Sequence, residues 1–327
     1  MSTPRIAVGV DIGGTKVLGA LVDETGAVLG EHRVPSPGPW PQMRDAIVGV
    51  VDELRSGGAD VVGVGVGAAG MVDLDGMIHY APNVPGFRRV PVQASLMEAT
   101  GLPTVVDNDA NAAAYAEIKV GAAREQSDVL VITLGTGIGG GVIVDGRVMR
   151  GANGFAAEIG HFQVDPNGPM CACGEPGHWE AIASGSALGR MAREHASEGR
   201  VPSILDQAGG RVDAINGHHV SAAAQAGAPD ALALVDEYSF NVAIGLVGLA
   251  NIFDPSLIAV AGGLVNDGEL FLEPMRRHFL GHIEGATYRP TPDIVPATAG
   301  EHAGVIGAAL LLLDRVPATA PVTPAAG

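Results

Sequence analysis

Residues 5–23 read RIAVGVDIGGTKVLGALVD: two β-rich runs, 5–11 and 17–23, meeting at Asp11-Ile12-Gly13-Gly14-Thr15-Lys16. The β-branched residues predict strands, and the Gly-Gly pair predicts a tight turn between them. A turn of this kind lets backbone amides approach a phosphate chain with no side chain in the way. A carboxylate at the strand end can hold Mg²⁺, directly or through water. An ordinary β-hairpin explains the hexapeptide as well, and no Walker loop, G-x-x-x-x-G-K-[ST], occurs in the chain.

Working outward, Glu24-Thr25-Gly26 marks a turn before a third strand at 27–34, and 35–41 reads as a loop. Residues 42–57 carry helical spacing, with Met43, Ile47, Val50, Val51 and Leu54 on one face and a stop at Gly57-Gly58. Residues 61–67 read as a buried strand. The order of strand, glycine turn and strand returns at 128–135 and 140–147, followed by an apolar helix at 237–253 and a buried strand at 257–263. Two halves that open alike suggest a duplicated α/β architecture with a cleft between them, where ligands favour binding. The stretch 316–327 reads as a disordered tail.

The chain has 327 residues, more than one hydrophobic core usually serves, so two domains are expected. Its net charge is −17 and its only lysines are Lys16 and Lys119, which argues against nucleic acid or anionic membranes as partners. A nucleotide is not excluded, because Mg²⁺ and helix N-termini hold phosphates without lysine. Cys171 and Cys173 are the two cysteines, one residue apart, which argues against a secretory disulfide framework. Asp11 interrupts the N-terminal apolar run, so no signal peptide is expected. The apolar stretch 242–265 is broken by Asp254-Pro255 and reads as a helix followed by a strand. A soluble, cytoplasmic protein is the expectation.

Three further constellations carry chemistry. Leu134-Gly135-Thr136-Gly137-Ile138-Gly139-Gly140-Gly141 places five glycines in a strand-to-strand turn, a second phosphate clamp in preference to a mobile loop. Asp107-Asn108-Asp109-Ala110-Asn111 sits at a strand end before a helical run at 112–119. Its acids can accept the proton of an attacking hydroxyl, and a helix-capping cluster explains the residues equally well. Glu158-Ile159-Gly160-His161 precedes Cys171, Cys173 and His178 on Gly/Pro turns, a plausible tetrahedral set of two nitrogens and two sulfurs for zinc.

Taken in order, DIGGT, the glycines at 67 and 70, Pro82-Asn83, NDAN, LGTGxGGG, ExGH, CxCGxxG and the later AGG resemble the ROK family of sugar kinases. Within that family the sequence looks most like the actinobacterial-type glucokinases, from about Val8 to about Leu312. The resemblance implies the actin-like ATPase (ribonuclease H-like) fold, with two α/β domains around a cleft. It implies a small domain of residues 1–112 plus 302–327 and a large one of 113–301 that carries the zinc loop. The implied reaction is transfer of phosphate from ATP to the 6-hydroxyl of glucose.

By position, the resemblance makes Asp109 the base. Asn108, Glu158, His161 and Glu180 become contacts to sugar hydroxyls, and Asn83 and Gly70 close the pocket. Asp11 becomes the Mg²⁺-linked acid, and Gly13, Gly14 and Thr15 cover the phosphates. Gly135, Thr136 and Gly137 form the second phosphate loop, Gly262 and Gly263 match the adenosine motif, and Gly304 and Gly307 lie on a closing helix. Lys16 receives no role. The family pattern CxCGxxGC ends here in His178 instead of cysteine, so a structural zinc would be held by His161, Cys171, Cys173 and His178.

Alternatives within the family are N-acylmannosamine or another hexose as acceptor, and polyphosphate as donor. The excess of 36 acidic over 19 basic residues disfavours a polyanion track. A sugar-sensing repressor would carry a winged-helix domain ahead of the DIGGT motif, which begins here at Asp11. A homodimer or higher homo-oligomer is expected from the family.

Overall fold

The first stretch folds as its sequence reads. β1 (Ile6–Ile12) and β2 (Lys16–Asp23) pair antiparallel, with Ile12 opposite Val17, and β3 (Val28–Pro35) adds antiparallel to β2. Helix α1 (Gln42–Ser56) buries Met43, Ile47, Val50, Val51 and Leu54, the five residues its spacing puts on one face. These elements belong to a computed structural model that describes residues 4–81, 84 and 86–317. Asn83 and residues 318–327 therefore lie outside the described residues. Val316, read as the start of a tail, is tied down instead, its carbonyl accepting from Arg5 Nη1 at 2.7 Å.

β4 (Val61–Ala68) joins β1 in parallel, and a small antiparallel sheet follows from β5 (Met71–Val72), β6 (Ile78–Tyr80) and β7 (Arg88–Val90). Helix α2 (Val92–Thr100) leads to β8 (Thr104–Asn108), parallel to β4, and β8 runs directly into α3 (Asp109–Val120). The second set opens with β9 (Val129–Leu134), β10 (Ile138–Val144) and β11 (Arg147–Val148). It continues with α4 (Trp179–Ala183), α5 (Gly185–Ser197), α6 (Pro202–Gln207), α7 (Gly217–Gln225) and α8 (Pro229–Phe253). β12 (Leu257–Ala261), α9 (Glu269–His282), β13 (Asp293–Pro296) and α10 (Ala303–Arg315) complete the chain.

The chain divides into two compact units. Unit 1 runs to Val120 and regains the segment Arg150–Ala156 and the residues from Glu301 on; unit 2 is Gly121–Met149 with Ala157–Gly300. The unit 1 sheet has the order β3-β2-β1-β4-β8 and the unit 2 sheet β11-β10-β9-β12-β13. In both, the first three strands in sequence form an antiparallel meander and the last two add in parallel to the first. This repeated topology is the duplication that the sequence suggested, and it is that of the actin-like ATPase fold.

Small residues bring α10 onto the unit 1 sheet at backbone contact. A Cβ added to Gly9 would lie 1.9 Å from the Val305 carbonyl oxygen, and one on Gly65 would lie 1.9 Å from that of Ala308. Unit 2 packs around α8, which buries Leu234, Tyr238, Val242, Leu246 and Leu249 against Trp179 and Phe271. Among the described residues α8 is the one helix long and apolar enough to cross a membrane. About half of its apolar stretch is buried, in this core, while Leu232, Phe240 and Ile252 stay exposed.

Several boundaries differ from the sequence reading. β10 already begins at Ile138, so Gly139, Gly140 and Gly141 lie in a strand and only 135–137 form the turn. Helix α3 begins at Asp109 rather than 112, and α8 at Pro229 rather than 237. β12 ends at Ala261, because Gly262 with φ 113° turns the backbone into the 3₁₀ turn Gly263–Asp267.

Candidate active site

In unit 1 the candidate residues gather at the carboxyl ends of the parallel strands, the edge where open α/β sheets bind ligands. Strand register puts Asp11 of β1 beside Gly67 of β4, which is itself beside Asp107 of β8. The turn beyond Asp11 is closed by Gly13 N donating to the Lys16 carbonyl at 3.0 Å, which leaves Gly14 and Thr15 exposed at its tip. Gly304, near the start of α10, comes so close that a Cβ there would sit 3.3 Å from Asp11 Cγ.

Asn108 caps the helix that follows it. Its Oδ1 accepts from Ala110 N at 2.9 Å and Asn111 N at 3.1 Å, satisfying amides that the first turn of α3 leaves open. Its Nδ2 donates to the Gly70 carbonyl at 3.1 Å, so one motif steadies the other. This cap makes Asp109 the first residue of α3. Burial raises the Asp109 carboxyl above its usual range, with hydrogen bonds from the Ala110 and Asp109 amides opposing. Burial also pushes Asp11 up to about 6, the neighbouring Asp109 charge adds to this, and Lys16 opposes it. Lys16, for which the sequence offered no role, therefore acts on the Asp11 carboxylate.

Unit 2 gathers its candidates around Ile138. The Ile138 amide donates to Glu180 Oε2 at 2.9 Å, and a Cβ on Gly137 would collide with that oxygen at 2.1 Å. Gly160 of the Glu158–His161 turn packs on the same residue, since its Cβ would lie 2.2 Å from the Ile138 carbonyl oxygen. Exposed Glu158 precedes the 3₁₀ turn Ile159–His161. On the other side of the turn, Gly185 N donates to the Gly135 carbonyl at 2.8 Å, seating the N-terminus of α5 beside Gly135, Thr136 and Gly137. Gly262 closes the group, because a Cβ there would meet the Leu134 carbonyl oxygen at 2.1 Å, and Gly263 stands exposed next to it.

The four proposed zinc ligands converge, their donor atoms all within 4.8 Å of one another. Cys171 Sγ lies 3.7 Å from His161 Nδ1, and Cys173 Sγ 3.2 Å from His178 Nδ1. Bonds of about 2.0–2.3 Å to a tetrahedral zinc imply ligand separations of about 3.3–3.8 Å, so these two pairs lie close to what zinc requires. Burial pushes the Cys171 thiol up to about 11, and the nearby Cys173 and Glu180 add to the shift. A thiolate there requires a cation beside it. The loop returns through Trp179, fully buried, whose Nε1 donates to the Asn241 carbonyl at 3.1 Å. A Cβ on Gly245 of α8 would strike that indole at 2.0 Å. The next residue is Glu180, with Oε1 at 3.6 Å from Cys171 Sγ.

Sequence reasoning missed Ser184 and Gly185, Trp179 with Gly245, and the Asp107–Arg150 pair. Ser184 had a local signal, an N-cap serine before a helical run, its side chain accepting from Ala187 N. The other two are pairings across the chain with no local signature.

The sequence pattern of the ROK family matches residues 7–315. Glucokinase of Streptomyces coelicolor is 41% identical over 315 residues, covering 95% of this chain and 99% of that protein. The crystal structure of a ROK family glucokinase from Streptomyces griseus, in complex with glucose and AMPPNP, superposes with a TM-score of 0.82 at 42% identity. It covers 94% of this chain and 98% of its own. A ROK hexokinase from Thermus thermophilus gives a TM-score of 0.78 at 34% identity, covering 95% and 100%.

Proposed function

The chain belongs to the ROK family, and on that premise we propose that it transfers the γ-phosphoryl group of ATP to the 6-hydroxyl of glucose. The observation that carries the reading is the half-buried pair Asp11 and Asp109 at one sheet edge, each with its carboxyl raised by burial. A base near neutral pH needs a raised carboxyl, and two acids at close quarters are relieved by a retained proton or by a cation.

Asp109 takes the proton of the 6-hydroxyl as that oxygen attacks the γ-phosphorus, and ADP departs. Asp11 would hold Mg²⁺, which supplies neutralisation of phosphate charge when bound. The turns at 13–15 and 135–137 offer backbone amides to the phosphates, and the α5 N-terminus adds its dipole beside the second turn. Asn108 orients the sugar through its second amide hydrogen, the first being held by Gly70. Glu158, His161 and Glu180 supply acceptors to neutral hydroxyls, as a pocket for an uncharged sugar requires. A structural zinc on His161, Cys171, Cys173 and His178 would fix His161 and Glu180.

A coupled assay over glucose, N-acetylmannosamine, mannose, fructose and galactose, with ATP and polyphosphate as donors, tests this. Glucose with Mg²⁺-ATP should give the highest kcat/KM. Equal efficiency with N-acetylmannosamine would replace the acceptor, and equal efficiency with polyphosphate would replace the donor.

A further inference from the structure

Asp107, next to the sugar-binding motif and outside it, is 5% exposed and carries a full set of partners. Its Oδ1 accepts from Asn108 N at 2.9 Å and from Asn111 Nδ2 at 3.0 Å. Its Oδ2 accepts from Arg150 Nε at 2.7 Å, with Arg150 Nη2 at 2.6 Å. One carboxylate thus grips the residue before Asp109 and the residue two after it, and the guanidinium of Arg150 grips the carboxylate. A second guanidinium, Arg315 at the end of α10, is held below the usual arginine value by burial and then by the charge of Arg150.

Arg150 opens the segment Arg150–Ala156, which the chain returns to unit 1 between two stretches of unit 2. Two more contacts fasten this segment. Gly154, with φ 94°, lies so close to the β5–β6 connection that a Cβ would meet the Val72 carbonyl oxygen at 2.5 Å. Phe155 meets the His79 ring edge-on at 5.2 Å, and His79 Nε2 is held by Asp73 Oδ2 at 2.7 Å. Steric and aromatic contacts would hold the segment without any charge. The ion pair adds the cost of burying the Asp107 carboxylate, with Arg150 half-buried beside it, and its acceptor reaches both sides of Asp109.

We propose that Arg150 is a positioning residue for phosphoryl transfer: through Asp107 it fixes the strand end and helix turn that present Asn108 and Asp109. The inference rests on the proposed function for its kinetic readout and on this geometry alone for its structural one. A base displaced by an ångström loses rate out of proportion to binding. The guanidinium sets two nitrogens, Nε and Nη2, against the single oxygen Oδ2, which suits the role better than the one ammonium of lysine.

The test compares Arg150→Met and Arg150→Lys with the parent, by steady-state kinetics and by amide hydrogen exchange without substrate. Arg150→Met should lower kcat about 10–100-fold with the KM values for glucose and ATP moving less than about threefold. Arg150→Lys should recover part of the loss. Exchange at the Ala110 and Asn111 amides, held by Asn108 Oδ1, should quicken relative to later amides of α3. If Arg150→Met does not fold, the double exchange Arg150→Gln with Asp107→Asn removes both charges together and should show the same signs.

The proposal is overturned if kcat stays within about twofold of the parent, or if exchange quickens only in Arg150–Ala156 while Ala110 and Asn111 stay protected. It is also overturned if both KM values rise with the loss of kcat and lysine recovers nothing. A parent that phosphorylates no hexose would refute the functional reading, and the exchange data would still decide the positioning.

Discussion

Replacing Asp11 by Asn should stabilise the metal-free protein at neutral pH while removing phosphoryl transfer. Burial, reinforced by the charge of Asp109, lifts the folded pKa of Asp11 from 3.8 to about 6. The folded state therefore holds this proton more tightly than the unfolded chain does, and ionising the group costs folding free energy. Below about pH 4 both states keep the proton and the penalty is absent. It grows as pH rises toward the folded pKa and is constant above about pH 6. Two pKa units at about 1.4 kcal/mol each make it about 3 kcal/mol. Asparagine, neutral at every pH, escapes it. For a unit of this size that corresponds to at most about 6–12 °C in melting temperature. The assay is thermal melting of both proteins in EDTA at about pH 4, 5, 6 and 7.5. The difference should be near zero at the lowest pH, open in favour of the variant, and level off above pH 6. Added Mg²⁺ should raise the parent's melting temperature and leave the variant's unchanged. A difference that does not vary with pH, or a variant less stable at neutral pH, would refute the burial argument.

Asp109→Asn keeps an acceptor for the Ala110 amide and loses the base, so kcat should fall about 10²–10⁴-fold while calorimetry shows glucose still bound. A kcat within about threefold of the parent would leave Asp109 as a helix residue only. Elemental analysis of protein purified without chelator should give about one zinc ion per chain. His178→Ala should lower that content, and His178→Cys should keep it. Protein free of zinc would leave the loop held by its hydrogen bonds and Trp179.

Most of the fold was legible because its signals are local. The β-branched runs around Gly13-Gly14, the helical face from Met43 to Leu54 and the spacing of Cys171, Cys173 and His178 each lie within one short stretch. Periodicity and turn chemistry act over that range. The glycines at 139–141 were ambiguous, read both as turn and as strand, because glycine signals a turn and close packing with the same letter. Here a Cβ on Gly140 would meet the Ile159 side chain at 2.2 Å, a neighbour that local sequence does not reveal.

The candidate site was legible as a set of residues and not as a set of contacts. By itself the sequence determined the two strand–glycine–strand openings, the acids at the strand ends and the close spacing of the candidate metal donors, since each follows from residue type and near spacing. Only the tertiary structure decided that Asn108 caps the helix carrying Asp109, that Glu180 holds the Ile138 amide, and that Arg150 returns to unit 1 to pair with Asp107. It also decided which acids are raised, for Asp11 and Asp109 become unusual only where burial strips their water and brings their charges close. Desolvation and pairing depend on what surrounds a group in space, and the neighbours that supply them come from distant parts of the chain.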